Sequence, residues 1–581
     1  QIKLLRGHTL AQPFAAFRDI RLNPQLLLLL AVPLLLIQTF IPIENFIHRG
    51  DDAFYYFNVA INYHLFGHWT YDGINSTNGV QPLWAMILTA VAKLGYWVGI
   101  REPDTFARLF VALTTCLHLG SLSILLHLFQ RKISLLAGII TVGAFVFPLG
   151  IVWSRLWGME SSLYAFTLVS TIAYYHLSFQ NRPTIKSAIT LGILLALTAL
   201  SLLNAGLLIA ILLSHYLVLG HQPGFTHRLK LVLVAGITSS ALIIPYGIWN
   251  YLTTGHIGPI SGAVKAVTVQ QLLESWNVQS VWSIDFLKNV YWHHLHALEW
   301  FVTARMSDAL WPIGARNIVG LGGSPTLAVL AMVFVACLLG PALFGHPKEW
   351  SRYLARDLKA LWGFNYVLIF GLCDAVASIM IYPNQIGYAM VRWWWVENEI
   401  IIVAITSVFL ASALSYCGQQ LLNVQLRKAV LVCVWLIALA VSLLHSLNYY
   451  WTVPSKNYDW RLSWNDAAYN AALWLNQNIP ESAIVGSWNA GVIGYYSKQP
   501  VINLDGLINN FELLPYIAEN RIDQYILNKK IDYIADIKPT LDLHLADKSL
   551  SVTEVYRAHN SFMGQPYIIY KVNDESPQGA E

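Results

Sequence analysis

Long apolar runs separated by short polar segments fill the chain up to about residue 450. A helix that crosses a bilayer needs about 20 apolar residues. The runs that we predict as membrane spans are 25–43, 109–129, 133–153, 161–180, 230–252, 325–345, 362–383, 398–416 and 429–449. They predict an all-α polytopic membrane bundle, with about 11–13 transmembrane helices once the two less regular runs are included.

Two apolar runs depart from the simple pattern. The run 187–220 is too long for one span and is interrupted by Asn204-Ala205-Gly206, so it predicts two short helices that meet at a turn. The run 84–100 contains Lys93 and fits either a span or a helix that lies at the membrane interface.

Lysine and arginine residues predict the orientation of the bundle. Loops rich in these residues stay in the cytoplasm, and the segment before the first span contains Lys3, Arg6, Arg18 and Arg21. Residues 1–24 are therefore predicted as a cytoplasmic segment, and the other basic loops fall on the same side provided that 84–108 makes no net crossing. The loops 44–83 and 253–324 then lie on the outer face, together with the tail from residue 450.

The tail 450–581 has a different pattern from the transmembrane domain 25–449. Helical stretches at NDAAYNAALWLNQNI and IDQYILNKK alternate with short apolar runs at SAIVGSW, PVINLDG and DYIADI. This alternation predicts a small extracytoplasmic α/β domain.

Composition narrows the class of protein. The chain of 581 residues is 56% hydrophobic and 12% charged, which excludes a disordered protein and an ordinary cytosolic enzyme. The net charge of +4 is too balanced to indicate nucleic-acid binding. None of the five cysteines follows Tyr450, and no Cys/His cluster has metal-ligand spacing, so we predict neither a disulfide framework nor a metal site.

The first outer loop holds the most informative polar cluster. Asp51 and Asp52 lie side by side just beyond a predicted span. A carboxylate there could act as a general base toward an attacking hydroxyl, or bind a divalent cation. The pair could equally form an ordinary polar loop with a salt bridge to Arg49.

Three further polar positions are predicted on the same face. Glu160 lies in the turn Trp157-Gly158-Met159-Glu160 and could act in chemistry or simply complement a helix N-terminus. Lys265 follows a Gly/Ser-rich loop able to hold an anion, and Arg392 precedes three tryptophans at the interface. Both cations suit a phosphate, although plain solvation or membrane anchoring would also explain them. Clusters on one face favour an enzyme over a transporter, for which only Asp374 is a midplane candidate.

Several motifs resemble those of GT-C membrane glycosyltransferases, in a bacterial mannosyl- or arabinofuranosyltransferase-like branch. They are the Asp-Asp-Ala-Phe-Tyr-Tyr loop that runs to Thr-Asn-Gly-Val-Gln-Pro-Leu-Trp, the Gly-Met-Glu-Ser turn, the stretch Trp249–Lys265, and the tail segments 486–495 and 503–509. Together they extend over residues 48–510, which is most of the chain.

The resemblance implies a polyprenyl-phosphate-sugar-dependent transferase in the inner or plasma membrane of a bacterium. Asp51 matches the family's catalytic carboxylate, Asp52 its second acid and Glu160 the acid of the second turn. Lys265 and Arg392 are candidates for the phosphate side. The expected substrate cleft contains His48, Tyr55, Asn78, Gln81 and Trp84.

The implied reaction inverts the anomeric centre, with an acceptor hydroxyl on a glycan, a lipid or a protein. No cofactor beyond the lipid-linked donor is implied, while membrane lipids and a larger membrane assembly are the expected partners. One departure matters: relatives often have an Arg and an acid in the hairpin that here reads Ser201-Leu202-Leu203-Asn204. An inactive structural subunit and a lipid or sugar transporter therefore stay as alternatives.

Overall fold

The structure is a computed structural model. It describes residues 24–37, 39–47, 50–147, 155–220, 224–290, 302, 305–306, 347–381, 395–421, 424–447, 463–545, 550–562 and 565–573. The predicted span 325–345 and most of the predicted cytoplasmic segment 1–24 lie outside these residues.

Helices make up the first part of the chain, which we call the helical body. They are α1 (Pro24–Leu36), α2 (Ile43–Phe46), α3 (Asp51–Phe66), α4 (Pro82–Trp97), α5 (Pro103–Lys132), α6 (Leu135–Val146), α7 (Ser161–Tyr174, continued by a π-helical turn at Tyr175–Phe179), α8 (Ile185–Ser201), α9 (Gly206–Leu219), α10 (Phe225–Thr254), α11 (Ile260–Ser275), α12 (Pro347–Trp362), α13 (Asn365–Ile381), α14 (Val396–Leu421) and α15 (Val424–Leu447).

Among the described residues, three helices are long and apolar enough to cross a membrane: Pro103–Lys132, Phe225–Thr254 and Val396–Tyr416. The pair Ala355–Trp362 and Asn365–Met380, bent by 64°, would make a fourth if it forms one span. Shorter apolar helices include Leu135–Val146 and Ile185–Ser201. The protein is therefore a mostly helical chain with membrane-spanning candidates, and the full number of spans stays a prediction.

The apolar run 187–220 is broken where the sequence predicts it. Helix α8 ends at Ser201, a 3₁₀ turn covers Leu203–Ala205, and α9 begins at Gly206. Helix α8 also packs closely on α10. At Gly192 the two helices are so near that a Cβ would overlap the Ala235 carbonyl group. Small residues allow membrane helices to approach in this way. The ambiguous run 84–100 forms α4, which packs against α3 and α8.

The C-terminal domain contains one five-stranded mixed sheet. Its elements are α16 (Ser463–Asn478), β1 (Val485–Ser487), α17 (Gly491–Tyr496), β2 (Val501–Asn503), α18 (Leu514–Ala518), α19 (Ile522–Asn528), β3 (Tyr533–Ile537), α20 (Lys538–Leu545), β4 (Val552–Phe562) and β5 (Gln565–Val572). The strand order is β2-β1-β3-β5-β4. Strand β1 pairs in parallel with β2 and β3, whereas β5 pairs antiparallel with β3 and β4.

The sheet contains the three strands that the sequence predicts and two further strands. The three short apolar runs become the parallel strands β1, β2 and β3, as an α/β domain requires. The antiparallel hairpin β4–β5 is not among the predicted elements, although β5 contains three consecutive buried residues, Tyr567–Ile569.

The C-terminal domain packs directly on the helical body. Helix α17 lies against α3, where Phe54 is in aromatic contact with Tyr495 and Tyr496, at ring-centroid distances of 5.4 and 5.8 Å. The Asn465 amide also donates a 2.7 Å hydrogen bond to the Ile47 carbonyl oxygen. One buried apolar cluster thus includes residues of both parts.

A buried ion cluster stabilises the helical body beside the Glu160 turn. The Glu399 carboxylate of α14 pairs with the guanidinium groups of Arg155 and Arg305, and all three side chains are almost fully buried. Arg155 is five residues before Glu160, and its carbonyl oxygen accepts a hydrogen bond from Ser162. The cluster therefore joins α14 to the turn that holds Glu160.

We expect Glu399→Gln to destabilise the protein by about 3–5 kcal/mol, because it leaves two buried guanidinium groups without their shared counter-charge. Denaturant unfolding of the detergent-solubilised protein measures this change. The control is Glu519→Gln, which breaks a solvent-exposed pair with Arg521 and should leave the free energy of unfolding unchanged within error. Equal effects of the two substitutions would contradict the prediction.

Candidate active site

Asp51 begins helix α3 and binds the C-terminal domain. Its two carboxylate oxygens accept hydrogen bonds from the backbone N–H groups of Gly491 and Val492, at 2.9 and 2.7 Å. Both donors lie at the start of α17, where helix N–H groups have no partner within the helix. Burial raises the pKa of Asp51 to about 7, although these two N–H groups oppose the rise. The Asp51 carboxylate therefore holds the helical body and the C-terminal domain together.

Asp52 points elsewhere, because successive residues of a helix are rotated by about 100°. Its side chain is half-buried, and no hydrogen bond to its carboxylate is found within the described part of the chain. Burial raises the pKa of Asp52 to about 6, and the positive charge of Lys265 opposes that rise. Asp52 is therefore an accessible carboxylate beside a cation.

Glu160 is the last residue of a tightly supported turn. Gly158 has φ +101°, and a Cβ there would overlap the Phe57 ring, so this position needs glycine. The buried indole of Trp84 donates a 3.0 Å hydrogen bond from Nε1 to the Gly158 carbonyl oxygen. These contacts fix the backbone that places Glu160 at the start of α7.

The Glu160 carboxylate is buried next to Tyr56. Burial raises the pKa of Glu160 to about 7; the Tyr56 hydroxyl and the Lys265 charge oppose the rise, whereas the Asp52 charge adds to it. Its Oε2 atom has no hydrogen-bond partner among the described residues. The Tyr56 hydroxyl in turn accepts a 3.1 Å hydrogen bond from the Gln81 backbone N–H.

Lys265 lies on α11, and Asn78 fixes the start of that helix. The Asn78 side chain accepts a 2.9 Å hydrogen bond from the Ile260 N–H and donates to the carbonyl oxygen of Gly258 at 3.2 Å. Burial lowers the pKa of Lys265 to about 8, and the charges of Glu160 and Asp52 oppose this fall. Lys265 is therefore close to both carboxylates, which lie on two other helices.

The C-terminal domain contributes a fourth acid, Asp505, in the loop after β2. Burial raises the pKa of Asp505 to about 8; the Leu507 N–H opposes the rise, and the charges of Asp52 and Asp51 add to it. The sequence interpretation included Asp505 only within a motif. An acid two residues after a short buried strand is the signal that could have identified it.

The structure gathers several of the residues that the sequence indicates. The charges of Asp52, Glu160 and Lys265 affect one another's pKa values, and Asp51 is linked to this group through the charge of Asp52. Asp51 forms the domain contact, so its two oxygens are already engaged. His48 and Arg392 lie outside the described residues.

The polar groups of the predicted cleft residues make internal hydrogen bonds. The Tyr55 hydroxyl donates to the Trp488 carbonyl oxygen at 3.3 Å, and Asn78 and Trp84 bond as described above. The Gln81 Oε1 accepts a 3.0 Å hydrogen bond from the Leu203 N–H, so the 201–206 hairpin lies beside the Tyr56–Glu160 pair. These side chains therefore shape the site around the charged groups.

Metal ligation is not evident in the described part of the chain. No group of three or more His, Cys, Asp or Glu side chains is arranged there to hold a metal ion. The cluster is a set of carboxylates with raised pKa values beside the half-buried ammonium group of Lys265. Such a set can accept a proton and stabilise a developing anion.

Comparison of sequences gives one partial match. A family described as a domain of unknown function (DUF8728) matches residues 456–572, which correspond to the C-terminal domain. No curated protein matches the sequence.

Solved structures of GT-C glycosyltransferases are similar to the chain over most of its length. The Archaeoglobus fulgidus oligosaccharyltransferase complex with Zn and sulfate is 15% identical, with 93% of this chain and 72% of that chain covered and a TM-score of 0.48. The archaeal oligosaccharyltransferase AglB from Archaeoglobus fulgidus, in complex with an inhibitory peptide and a dolichol-phosphate, is 14% identical, with 94% of this chain and 74% of that chain covered and a TM-score of 0.44.

ArnT from Cupriavidus metallidurans in the apo state is 14% identical, with 94% of this chain and 97% of that chain covered and a TM-score of 0.41. At these identities and TM-scores, the similarity assigns no activity, donor or acceptor to this chain.

We expect Gly491→Ala to weaken the contact between the two parts, because a Cβ there would overlap the backbone and carboxylate of Asp51. The cost of such overpacking is about 1–3 kcal/mol. Denaturant unfolding, together with the rate of tryptic cleavage within the C-terminal domain, measures the effect. Gly258→Ala is the control, since a Cβ at Gly258 meets nothing within 4 Å. If both variants behave like the wild type, the predicted role of the contact is wrong.

Proposed function

We propose that the protein is an inverting glycosyltransferase that moves a sugar from a polyprenyl-phosphate donor to an acceptor hydroxyl. The observation that carries the proposal is the convergence of Asp52, Glu160 and Lys265 from three different helices. A half-buried carboxylate beside a half-buried ammonium group is what proton abstraction coupled to phosphate departure requires. The motif resemblance to GT-C enzymes supports the same reaction class.

In this proposal Asp52 is the general base. Its carboxylate is half-buried and receives no hydrogen bond from the described residues, whereas both oxygens of Asp51 are bonded to backbone N–H groups. Asp52 takes the proton of the acceptor hydroxyl as that oxygen forms a bond to the anomeric carbon. The bond from that carbon to the phosphate oxygen breaks on the opposite side, so the configuration inverts.

Lys265 is proposed to stabilise the leaving lipid phosphate, because its ammonium group offsets the charge that grows on the departing oxygen. Glu160 is proposed to hold Lys265, since its charge favours the protonated ammonium. Asp51 then acts as a positioning residue that keeps the C-terminal domain against the site. Because the leaving group is a lipid phosphate, the reaction needs no nucleotide and no further cofactor.

The setting is proposed as the extracytoplasmic face of a bacterial inner or plasma membrane, with the C-terminal domain on that face. The three long apolar helices are consistent with a membrane location. The acceptor is proposed to be a hydroxyl of a glycan, a lipid or a protein.

An inactive structural subunit is the second candidate, and one observation favours it. The 201–206 hairpin touches the site through the Leu203–Gln81 hydrogen bond, yet it presents an exposed Asn204 where GT-C relatives often have charged residues. If charged residues there are needed for donor binding, the chain would keep its architecture without turnover.

Asp52→Asn should reduce the consumption of donor by about 10²–10⁴-fold, because the amide cannot accept the proton of the acceptor. The assay incubates purified protein with a panel of radiolabelled polyprenyl-phosphate sugars. Asp285→Asn is the matched control: this aspartate is solvent-exposed, pairs with Lys288, and should leave turnover unchanged.

Two results would contradict the assignment. Full activity of the Asp52 variant would remove Asp52 as the base. Folded wild-type protein that consumes no donor with any acceptor class would favour the inactive subunit.

The pH dependence of kcat/KM should be bell-shaped. Activity should rise as Asp52 ionises near pH 6, and fall near pH 8 as Lys265 loses its proton. Asp51, Glu160 and Asp505 titrate in the same range, so both limbs report the cluster rather than single groups.

Lys265→Arg keeps the positive charge to much higher pH. It should therefore shift the alkaline limb upward, which a pH–rate series with the radiolabelled donor measures. An alkaline limb that does not move in this variant would show that Lys265 is not the group responsible.

A further inference from the structure

Asp505 lies in a loop of the C-terminal domain, and this loop is hydrogen-bonded to helix α3 of the candidate active site. Asn503, at the end of β2, donates a 3.3 Å hydrogen bond from Nδ2 to the Tyr55 hydroxyl of α3. Asn503 Oδ1 also accepts the Gly506 N–H at 3.0 Å. The turn that contains Asp505 is therefore bonded to the same helix that begins with Asp51 and Asp52.

The same loop also contacts the polar loop between α3 and α4. The Thr77 hydroxyl donates a 2.8 Å hydrogen bond to the Asn509 carbonyl oxygen. Gly79 lies so close to Leu507 that a Cβ would overlap the Leu507 carbonyl oxygen. These contacts fix the loop on both sides of Asp505.

Helix α11 also contacts the loop that contains Asp505. A Cβ at Gly506, whose φ is +83°, would come within 2.9 Å of the Val264 side chain, next to Lys265. Further along α11, Gln271 donates a 3.2 Å hydrogen bond to the Ile517 carbonyl oxygen of the C-terminal domain. Asp505 therefore lies between the start of α3 and the Lys265 segment of α11.

The protonation state of Asp505 determines what it can offer. Its pKa of about 8 keeps the carboxyl mainly neutral at pH 7, with burial as the largest cause. Oδ1 accepts a 2.7 Å hydrogen bond from the Leu507 N–H, and a hydrogen bond from the Asn503 side chain also opposes the rise of the pKa. A neutral carboxylic acid in such a site is a hydrogen-bond donor.

We propose that Asp505 donates a hydrogen bond to the acceptor substrate, so that the C-terminal domain supplies one wall of the active site. The inference rests on the proposed transferase function. The acceptor is favoured over the donor because a lipid donor approaches from the apolar helices. Asp505 reaches the site from the polar C-terminal domain instead.

The experiment compares Asp505→Ala and Asp505→Asn in the full chain, with Glu481→Gln as control. Glu481 is an exposed acid of the same domain that pairs with Lys498 at 3.3 Å. Three measurements are made: binding of radiolabelled undecaprenyl phosphate, hydrolysis of the lipid-linked sugar by water, and transfer to three probes. The probes are an octyl glycoside, a Ser/Thr-containing peptide and dioleoylglycerol.

Asp505→Ala should raise KM for the accepted probe about tenfold, the value of one lost hydrogen bond. Lipid-phosphate binding and donor hydrolysis should stay at wild-type levels. Asp505→Asn should recover most of the loss, because its amide can still donate, and Glu481→Gln should match the wild type.

The outcomes separate this inference from the proposed function. A wild-type protein that neither transfers nor hydrolyses any donor contradicts both. Transfer by the wild type with an unchanged KM in Asp505→Ala overturns the Asp505 inference alone. Equal losses in the Ala and Asn variants, or donor hydrolysis without transfer to any probe, also overturn it.

Discussion

The hydrogen bonds from Gly491 and Val492 to the Asp51 carboxylate are the contact on which the rest of the site depends. They join the first residue of α3 to the first residues of α17, and so place the C-terminal domain against the helical body. A buried carboxylate is costly unless its oxygens are hydrogen-bonded. The two N–H groups meet that requirement, and the carboxylate in turn satisfies donors that a helix start leaves unpaired.

This contact also explains why neighbouring acids differ. Asp51 and Asp52 are identical in chemistry and adjacent in sequence, yet one is bonded to backbone and the other lies beside Lys265. A rotation of about 100° along the helix separates their surroundings. Because the two side chains leave the helix in different directions, Asp51 contacts the C-terminal domain, whereas Asp52 stays half-buried beside Lys265.

The sequence predicts much of the fold because its signals are local. Apolar runs mark the helices, Asn204 marks the break between α8 and α9, and short apolar runs mark β1, β2 and β3. Local signals predict only part of the candidate site. Asp52, Glu160 and Lys265 stand out as charged residues beside apolar segments, but the partners of Asp51 lie 440 residues further along the chain. The position of Asp505 depends equally on distant contacts, with Tyr55 and Val264, that no local pattern contains.

The same sequence separation has a consequence for how the protein is made. Residues 51 and 491 are 440 positions apart, and a ribosome adds about 5–20 residues per second. Roughly 20–90 s therefore pass between the emergence of Asp51 and that of its hydrogen-bond donors. During this interval the Asp51 carboxylate lacks its two hydrogen-bond donors, and any product that ends before Gly491 never acquires them. Formation of the contact between Asp51 and the C-terminal domain is thus a late event of biosynthesis.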